Sequence, residues 1–376
     1  MEEGAVLPAL YRTPTALALT ATLALTTACG SDDALPSGTS PVPVPEDMRC
    51  FDGNISASGS SAQENAMQTW IAGYQTACDE GDIYYDAIGS GGGRNQFIDG
   101  AVAFAGSDAA LSSDEHRFAA DRCNGSEAIN LPAYVVPIGI VVNLEGVDSL
   151  NLRPETIARI FDGGITRWND PAITETNPGV DLPDLRITPV TRSDESGTTE
   201  NFTAYLEATA KDAWPHEADG QWPTPPVEAG QGNSGVAEAV EGGEGTIGYL
   251  EASHAEGMST VRVGVGDEFV EMAPEAAAQV LAASPERRGG SEYDLALELD
   301  YRTAESGTYP IVLVTYEIAC LEYSEAEEAE GVKAFLDYIV SEEGQRAASE
   351  EAGSAPISDD LRERIQRSIE AIHGGE

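Results

Sequence analysis

"VTRSDESGTTENF", residues 190–202, joins a β-rich start to an amphipathic helix through a short polar loop. The loop sets Arg192 beside Asp194 and continues with a Ser-Gly-Thr turn. The start of a helix leaves backbone N–H groups unpaired and carries a partial positive charge, so it can bind an anion without a basic side chain. The segment is therefore either a salt-bridged loop with no role beyond folding or a small, shielded anion site.

Two other segments share this design, in which a strand ends, small residues follow and a helix begins: "ISASGSSAQ" (55–63) and "AIGSGGGRNQF" (87–97). Glycines let a backbone approach a ligand closely, and serine hydroxyls add hydrogen-bond donors. Taken singly, each segment is explained equally well by folding, with Ser61 as a helix cap and "GSGGG" as a turn. The second segment is not a P-loop, because no GK[ST] follows it. The three together favour an anion site.

Strand-like and helix-like runs alternate along the chain, which predicts an α/β fold with helices on both faces of a sheet. The β-rich runs are "DIYYDAI" (82–88), "VAFAGSD" (102–108), "YVVPIGIVVNL" (134–144) and "IVLVTYEIACL" (311–321). Helical spacing of apolar residues predicts three amphipathic helices, with Met67, Trp70, Ile71, Tyr74 and Cys78 on the first, Phe202, Tyr205 and Leu206 on the second, and Leu361, Ile365, Ile369 and Ile372 on the third. Ser61 and Glu64 have the spacing of a capping box at the start of the first helix.

Composition limits the possible functions. The 376 residues suffice for two domains, and 65 acidic against 20 basic side chains give a formal net charge of −45. With a pI near 4.1 the protein has no basic surface for a nucleic-acid partner. The surplus carboxylates are typical of a solvated surface of the halophilic type, which remains soluble in high salt.

The N-terminus has the pattern of an export signal. "TALALTATLALTTACG" (15–30) is too short to span a membrane and fits the core of a signal peptide covering residues 1–28. The small residues before Cys29 resemble a lipoprotein cleavage site, so we expect Cys29 to carry a lipid. Residues 29–48 are rich in Pro, Ser and Gly and are predicted to form a flexible tether.

Export places the remaining cysteines in an oxidising compartment. Their number is even, no CxxC spacing occurs, and histidines are few, so two disulfides are favoured over a zinc site. Sequence alone allows three pairings of the four residues Cys50, Cys78, Cys123 and Cys320.

"FAGSDAAL" (104–111) ends a strand with Asp108, a carboxylate that would repel a fully ionised anion. On local sequence alone, Asp108 is typical of a turn or a helix start. Close to the other loops it would act as a filter, because hydrogen phosphate can donate a hydrogen bond to it and unprotonated sulfate cannot. A buried clash between two acceptors costs several kcal/mol, on the order of what strong discrimination requires.

These motifs together resemble the phosphate-binding proteins of ABC importers, most nearly their actinobacterial lipoprotein branch. The resemblance runs in order from about residue 54 to the C-terminus. It rests on "AIGSGGG", "FAGSDAAL", "RSDESGTTENFTAYL", "GTIGYLE" (245–251), "IARIFDGGITRWNDPAI" (157–173), "NPGVDLP" (177–183) and "YPIVLVTYEIAC" (309–320).

The resemblance implies a type II periplasmic-binding-protein fold of two lobes, each a mixed sheet flanked by helices, that close on one phosphate ion in the cleft between them. The chain would cross between lobes near Asn143 and Tyr309. Lobe 1 would comprise residues 49–143 and 310–376, and lobe 2 residues 144–309. In this topology Cys50 is expected to pair with Cys78 and Cys123 with Cys320, at the end of lobe 1 away from the cleft.

The family's ligands, carried over to matching positions, comprise hydroxyls, backbone N–H groups, one carboxylate and one guanidinium. They are Ser61, Ala62, Ser90, Asp108, Arg192, Ser196, Gly197 and Thr198, with Asp194 holding Arg192 in place. Many members have Thr-Phe where this chain has Ser61 and Ala62. A hydroxyl and an amide survive that change, and an aromatic wall is lost.

The function implied is capture of inorganic phosphate and its delivery to membrane permease subunits by a monomeric, lipid-anchored protein outside the cytoplasmic membrane, without a cofactor, metal or nucleic acid. A receptor for another oxyanion, such as sulfate or molybdate, is the main alternative, and Asp108 argues against it. A secreted phosphate-ester hydrolase would use Ser196 as nucleophile, but no histidine lies in a recognisable catalytic motif. We therefore expect no enzymatic activity.

Overall fold

The structure is a computed structural model that describes residues 42–375. The predicted signal peptide and Cys29 lie outside these residues. No helix within the described range is both long and apolar enough to cross a membrane.

The packed body begins before residue 49, the boundary expected from sequence. Val42 and Val44 pack against the hydrophobic core, and the hydroxyl of Tyr338 donates a hydrogen bond to the carbonyl of Pro43 at 3.0 Å. The last residues assigned to the tether therefore contact the folded body, because their valine side chains pack against its apolar surface.

Strands and helices alternate through most of the described chain. The strands are β1 (Gly53–Gly59), β2 (Gly81–Asp86), β3 (Phe104–Ser107), β4 (Ala128–Asn143), β5 (Ser149–Leu152), β6 (Thr188–Arg192), β7 (Glu228–Gly230), β8 (Thr246–Glu251), β9 (Ser259–Val265), β10 (Glu268–Val270), β11 (Val312–Cys320), β12 (Glu322–Tyr323) and β13 (His373–Gly374). The α-helices are α1 (Glu64–Ala77), α2 (Ser90–Ile98), α3 (Ser113–Arg122), α4 (Pro154–Phe161), α5 (Pro171–Thr174), α6 (Gly197–Thr209), α7 (Gly232–Gly242), α8 (Pro274–Ala283), α9 (Ala326–Val340), α10 (Glu342–Ala352) and α11 (Asp359–Ala371).

The main sheet is mixed, as predicted, and has the strand order β2-β1-β3-β11-β4-β8-β6-β7. Its long strand β4 pairs with β11 over Ala128–Pro137 and with β8 over Ile138–Asn143. This change of partner divides the sheet. We call β1, β2, β3, β11 and the start of β4 the first half, and the end of β4 with β5 to β10 the second half.

We expected the first crossing between halves near Asn143. It occurs several residues earlier, between Pro137 and Ile138, within the continuous strand β4. The return is also less simple than expected, because part of the segment before β11 packs on the first half. The Leu295 N–H donates to the Asn130 carbonyl at 3.0 Å, and the Leu297 N–H donates to the Tyr316 hydroxyl at 3.1 Å. Residues near 295 thus lie against the strands of the first half rather than those of the second.

Helix α1 buries the predicted face, with Met67, Trp70 and Tyr74 inaccessible to solvent. The predicted capping box is wrong. Helix α1 begins at Glu64 with Gln63 as its N-cap residue and has no side-chain cap hydrogen bond. Ser61 lies two residues before that cap, and its hydroxyl accepts hydrogen bonds from Asn233 instead.

Two disulfides join Cys50 to Cys78 and Cys123 to Cys320, which confirms the expected pairing. The first links positions 28 residues apart and the second links positions 197 apart. Closing such loops restricts the unfolded chain and thereby stabilises the fold, in most accounts by about 2–4 kcal/mol each.

Glu317 is a carboxyl group buried inside the first half. It lies on β11 opposite Gly106 of β3 and is 2% exposed. Neither carboxyl oxygen has a hydrogen-bond partner within residues 42–375. Burial, reinforced by the nearby charge of Asp108, raises the pKa of Glu317 well above its ordinary value. Burial therefore favours the neutral form of this side chain in the folded protein.

We predict that Glu317→Gln increases stability, and increasingly so as pH rises. A folded-state pKa above the unfolded value makes the wild-type contribution full below the unfolded pKa and progressively lost above it. Between the unfolded-state and folded-state pKa values of Glu317, the free energy of unfolding of the variant should rise relative to that of the wild type by up to about 1.4 kcal/mol per pH unit. Urea unfolding across a pH series measures this gain. Glu330→Gln, at an exposed position, is the matched control, and a pH-independent difference for Glu317→Gln would contradict the prediction.

Candidate anion-binding site

Loops and helix starts from both halves of the sheet meet at one buried place. The first half contributes the loop after β1, the start of α2 and the residue after β3. The second half contributes the end of β6 and the start of α6. The ligands expected from sequence lie here and are all buried: Ser61, Ala62, Ser90, Asp108, Arg192, Ser196, Gly197 and Thr198. Parallel strands such as β1 and β3 bring their carboxyl ends to the same edge, where ligands of open α/β sheets bind.

Gly197 marks a close approach of the two halves. A Cβ added to this glycine would lie 2.6 Å from Asp108 Cβ and 2.7 Å from Ser90 Oγ. Only glycine lets the start of α6 lie this close to the other half. The first backbone N–H groups of α6, at Gly197 and Thr198, have no intrahelical acceptor, so they are available to a ligand.

Asp108 is 3% exposed and is held by two serines of the first half. Ser60 Oγ lies 2.6 and 2.7 Å from its two carboxylate oxygens, and Ser90 Oγ lies 3.2 Å from one of them. Burial raises the pKa of Asp108 to about 6, although Ser60 and Arg192 oppose the shift. Near neutral pH the carboxylate is therefore mostly ionised but close to its protonation range.

Arg192 forms a two-bonded ion pair with Asp194. Its Nε donates to Asp194 Oδ1 at 2.9 Å and its Nη2 donates to Oδ2, and the two side chains are 1% and 10% exposed. The remaining Nη1 donates to Thr198 Oγ1 at 3.3 Å, so the guanidinium lies over the start of α6. Burial disfavours the charge on Asp194, yet Arg192 and the Gly232 N–H together hold its pKa below the ordinary value. The folding and anion-site interpretations of this loop are compatible, because the pair that stabilises the loop also orients the guanidinium.

Direct hydrogen bonds join the two halves around the site. Ser61 Oγ accepts from both the backbone N and the Nδ2 of Asn233, each at 3.1 Å. Asn201 Nδ2 donates to the Asp108 carbonyl at 2.8 Å. The Gly91 N–H donates to the Glu195 carbonyl at 3.1 Å. The structure is therefore in a closed arrangement.

The similarity of the chain to known proteins agrees with this architecture. A model of the PBP superfamily domain matches residues 44–343. The phosphate-binding protein PstS 3 of Mycobacterium tuberculosis is 37% identical over 351 residues, which are 92% of this chain and 94% of the relative. PstS 3 of Mycobacterium leprae is 36% identical over 363 residues, 95% of this chain and 98% of the relative. The chain belongs to the PstS family within the PBP superfamily.

Solved structures extend the likeness to the fold. The high-affinity periplasmic phosphate-binding protein PfluDING, solved with phosphate bound, superposes with a TM-score of 0.69 at 21% sequence identity. The match covers 84% of this chain and 93% of that protein. The two-lobed α/β fold expected of a PstS-family protein is thus confirmed.

The backbone of Ala62 does not have the free N–H group that was expected of a PstS ligand in this closed arrangement. Its backbone N–H, expected to face the anion, donates instead to Ser60 Oγ at 3.0 Å. Ser60 itself was not predicted as a site residue, because sequence alone does not tell which of two adjacent serines turns toward Asp108.

Sequence reasoning also missed Asn233, at the start of α7. The preceding strand β7 is only three residues long, so its apolar pattern is too short to recognise. The signal available was the small-residue run "GQGNSG" (230–235), which repeats the loop design of the other PstS-family site segments. Among residues 42–375, no group of three or more His, Cys, Asp or Glu side chains is arranged to hold a metal ion.

We predict that Asp194→Asn lowers the free energy of unfolding by about 3–5 kcal/mol, because it leaves the Arg192 guanidinium buried without its counter-charge. The double variant Arg192→Met/Asp194→Asn should lose much less. Since the pKa of Asp194 is lowered, its contribution should be present at neutral pH and disappear as pH falls through that lowered pKa. Denaturant unfolding of the single and double variants measures both effects.

The exposed pair Arg262 and Glu271 offers a control, since its side chains are 45% and 66% exposed. Glu271→Gln should cost no more than about 1 kcal/mol. Equal losses for Glu271→Gln and Asp194→Asn would contradict a special role for the buried pair.

Proposed function

We propose that this protein captures inorganic phosphate between its two lobes, residues 49–143 with 310–376 and residues 144–309, and delivers it to an ABC importer. The observation that carries the proposal is a buried carboxylate, Asp108, set among serine hydroxyls, a helix start and one compensated arginine. Membership of the PstS family and the phosphate-binding relatives support it.

The donors of the site act mainly as aimed dipoles. Ser61, Ser196 and Thr198 supply hydroxyls, while the Ser90 hydroxyl holds Asp108. The Gly197 N–H belongs to a helix start whose dipole favours an anion. Arg192 adds a charged fork, and Asp194 balances its charge and holds it. Because these donors act at short range, the long-range repulsion from a protein of net charge −45 mainly slows encounter, and salt screens it.

Asp108 acts as a proton filter in this proposal. An ionised carboxylate offers about four acceptor positions, and Ser60 and Ser90 each have one hydrogen to donate, so capacity remains for a further donor. Hydrogen phosphate supplies that donor through its own hydroxyl. Sulfate would set a bare oxygen against the carboxylate, and this buried acceptor–acceptor contact has no compensation.

The remaining assignments follow from the same function. The protein acts outside the cytoplasmic membrane as a monomer, tethered through a lipid on Cys29 and in contact with the permease subunits of the importer. The site needs no cofactor or metal, and Ser196 acts as a donor rather than as a nucleophile.

Titration calorimetry of the purified, anion-stripped protein tests the proposal. We expect one phosphate to bind per protein, with sulfate at least about 100-fold weaker near neutral pH, in both low and high salt. Asp108→Asn should bind sulfate more tightly, so the ratio of phosphate affinity to sulfate affinity should fall strongly. Asp86→Asn, an exposed carboxylate at the end of β2, serves as the control and should leave the ratio unchanged. A folded protein that gives no phosphate heat would rule the function out, and preferential sulfate binding would assign the site to another oxyanion.

The pKa of Asp108 gives a second prediction. Below about pH 6 its carboxyl group becomes protonated and can donate to a sulfate oxygen, so the sulfate affinity of the wild type should rise as pH falls through that value. The sulfate affinity of Asp108→Asn should not follow this trend, because the amide does not titrate. Competition titrations with sulfate over a pH series distinguish the two curves, and parallel curves would refute the filter.

A further inference from the structure

Two hydrogen bonds join Ser61 to Asn233 across the two halves of the sheet. Ser61 Oγ accepts two hydrogen bonds from the same residue, one from the Asn233 backbone N–H and one from its side-chain amide, each at 3.1 Å. Both residues are buried, at 2% and 0% exposure. Ser61 follows β1 in the first half of the sheet and Asn233 lies in the first turn of α7 in the second, so this contact exists only when the halves are together.

These two bonds restrict the serine hydroxyl. A hydroxyl group has one hydrogen to donate and two lone pairs to accept with. Asn233 occupies both lone pairs, so the hydrogen must point in the one direction that remains. Within residues 42–375 Ser61 Oγ donates no hydrogen bond, which leaves its hydrogen for an acceptor entering the site.

Asn233 is itself fixed in orientation. Its Oδ1 accepts the Glu251 N–H at 2.9 Å, so the amide presents its nitrogen, and not its oxygen, to Ser61. Gly232 has φ +68° and lies against Ser61, where an added Cβ would come within 3.4 Å of Ser61 Cβ. A residue other than glycine would be strained at this position.

The same helix start also acts on the guanidinium of the second half. The Gly232 N–H donates to Asp194 Oδ1 at 3.1 Å, and that oxygen accepts from Arg192 Nε at 2.9 Å. Consecutive residues at the start of α7 therefore orient a donor from each half of the sheet.

We infer that Asn233 is a positioning residue that aims the Ser61 hydroxyl hydrogen at the bound anion when the two halves close. This inference rests on the proposed phosphate site and adds a residue that does not itself touch the ligand. Asn233 turns a rotatable hydroxyl into a fixed donor, and it does so only in the closed arrangement, so closure and ligand recognition are coupled through one side chain.

A double-mutant cycle with Ser61→Ala and Asn233→Ala tests the inference, with phosphate dissociation constants measured by calorimetry at fixed pH and salt. In the wild-type background Ser61→Ala should weaken binding about 10- to 100-fold, the range expected for a hydrogen bond to a charged group. In the Asn233→Ala background the same change should weaken it less than about threefold, because the hydroxyl is no longer aimed. A purely structural Asn233 would leave the effect of Ser61→Ala unchanged, and that additive result would overturn the inference.

Asn65 provides a matched control. It is also an asparagine that bonds across the halves, with its Nδ2 donating to Ser253 Oγ at 2.8 Å, but its partner is not a site residue. Asn65→Ala should therefore combine additively with Ser61→Ala. Coupling of equal size in both cycles would mean that closure alone, and not the aim of the hydroxyl, links the residues, and this too would overturn the inference.

Two further readouts separate the possible failures. If the folded wild type binds no phosphate, the proposed function fails; if it binds and the cycle is additive, only the role of Asn233 fails. Should Asn233→Ala prove unfolded by circular dichroism, the cycle is run with Asn233→Asp, which keeps the shape and replaces the side-chain donor with an acceptor. The effect of Ser61→Ala should again shrink in that background.

Discussion

The buried carboxylate of Asp108, at the candidate anion site, requires compensating contacts from the residues around it. Asp108 is tolerated because Ser60 and Ser90 contact its oxygens and Arg192 lies within range of its charge. Arg192 is in turn buried and requires a counter-charge, which Asp194 supplies. The local chain of charges is thus compensated step by step, and the net charge of the protein has little part in it.

Compensation of this kind depends on rigid backbone. The starts of α2, α6 and α7 converge on the site, and each is reached through small residues that allow contact at backbone distance. Helix starts keep their N–H groups in place whether or not a ligand is present, so little reorganisation is needed when an anion arrives. Neutral side chains such as Thr198 and Asn233 then orient the neighbouring donors, Arg192 and Ser61, without adding charge.

The sequence was sufficient for the long strands, the loops that precede helices and, through family resemblance, the disulfides. It was insufficient where the arrangement depends on contacts between residues far apart in the sequence. The change of partner within β4 cannot be recognised in its sequence, because the strand is buried on both sides of the change. The spacing of Ser61 and Glu64 satisfied a capping rule, yet the tertiary contact with Asn233 took the hydroxyl. Asn233 itself follows a strand too short to produce a pattern.

The disulfide between Cys123 and Cys320 has a mechanical consequence. All strands of the second half, from β5 to β10, lie between these two cysteines in the sequence. If the chain is pulled from its two ends, the tension passes through the sulfur–sulfur bond and bypasses the intervening residues. The half that carries Arg192 is therefore shielded from stretching force for as long as the bond is oxidised, whereas reduction would place that half in series with the load.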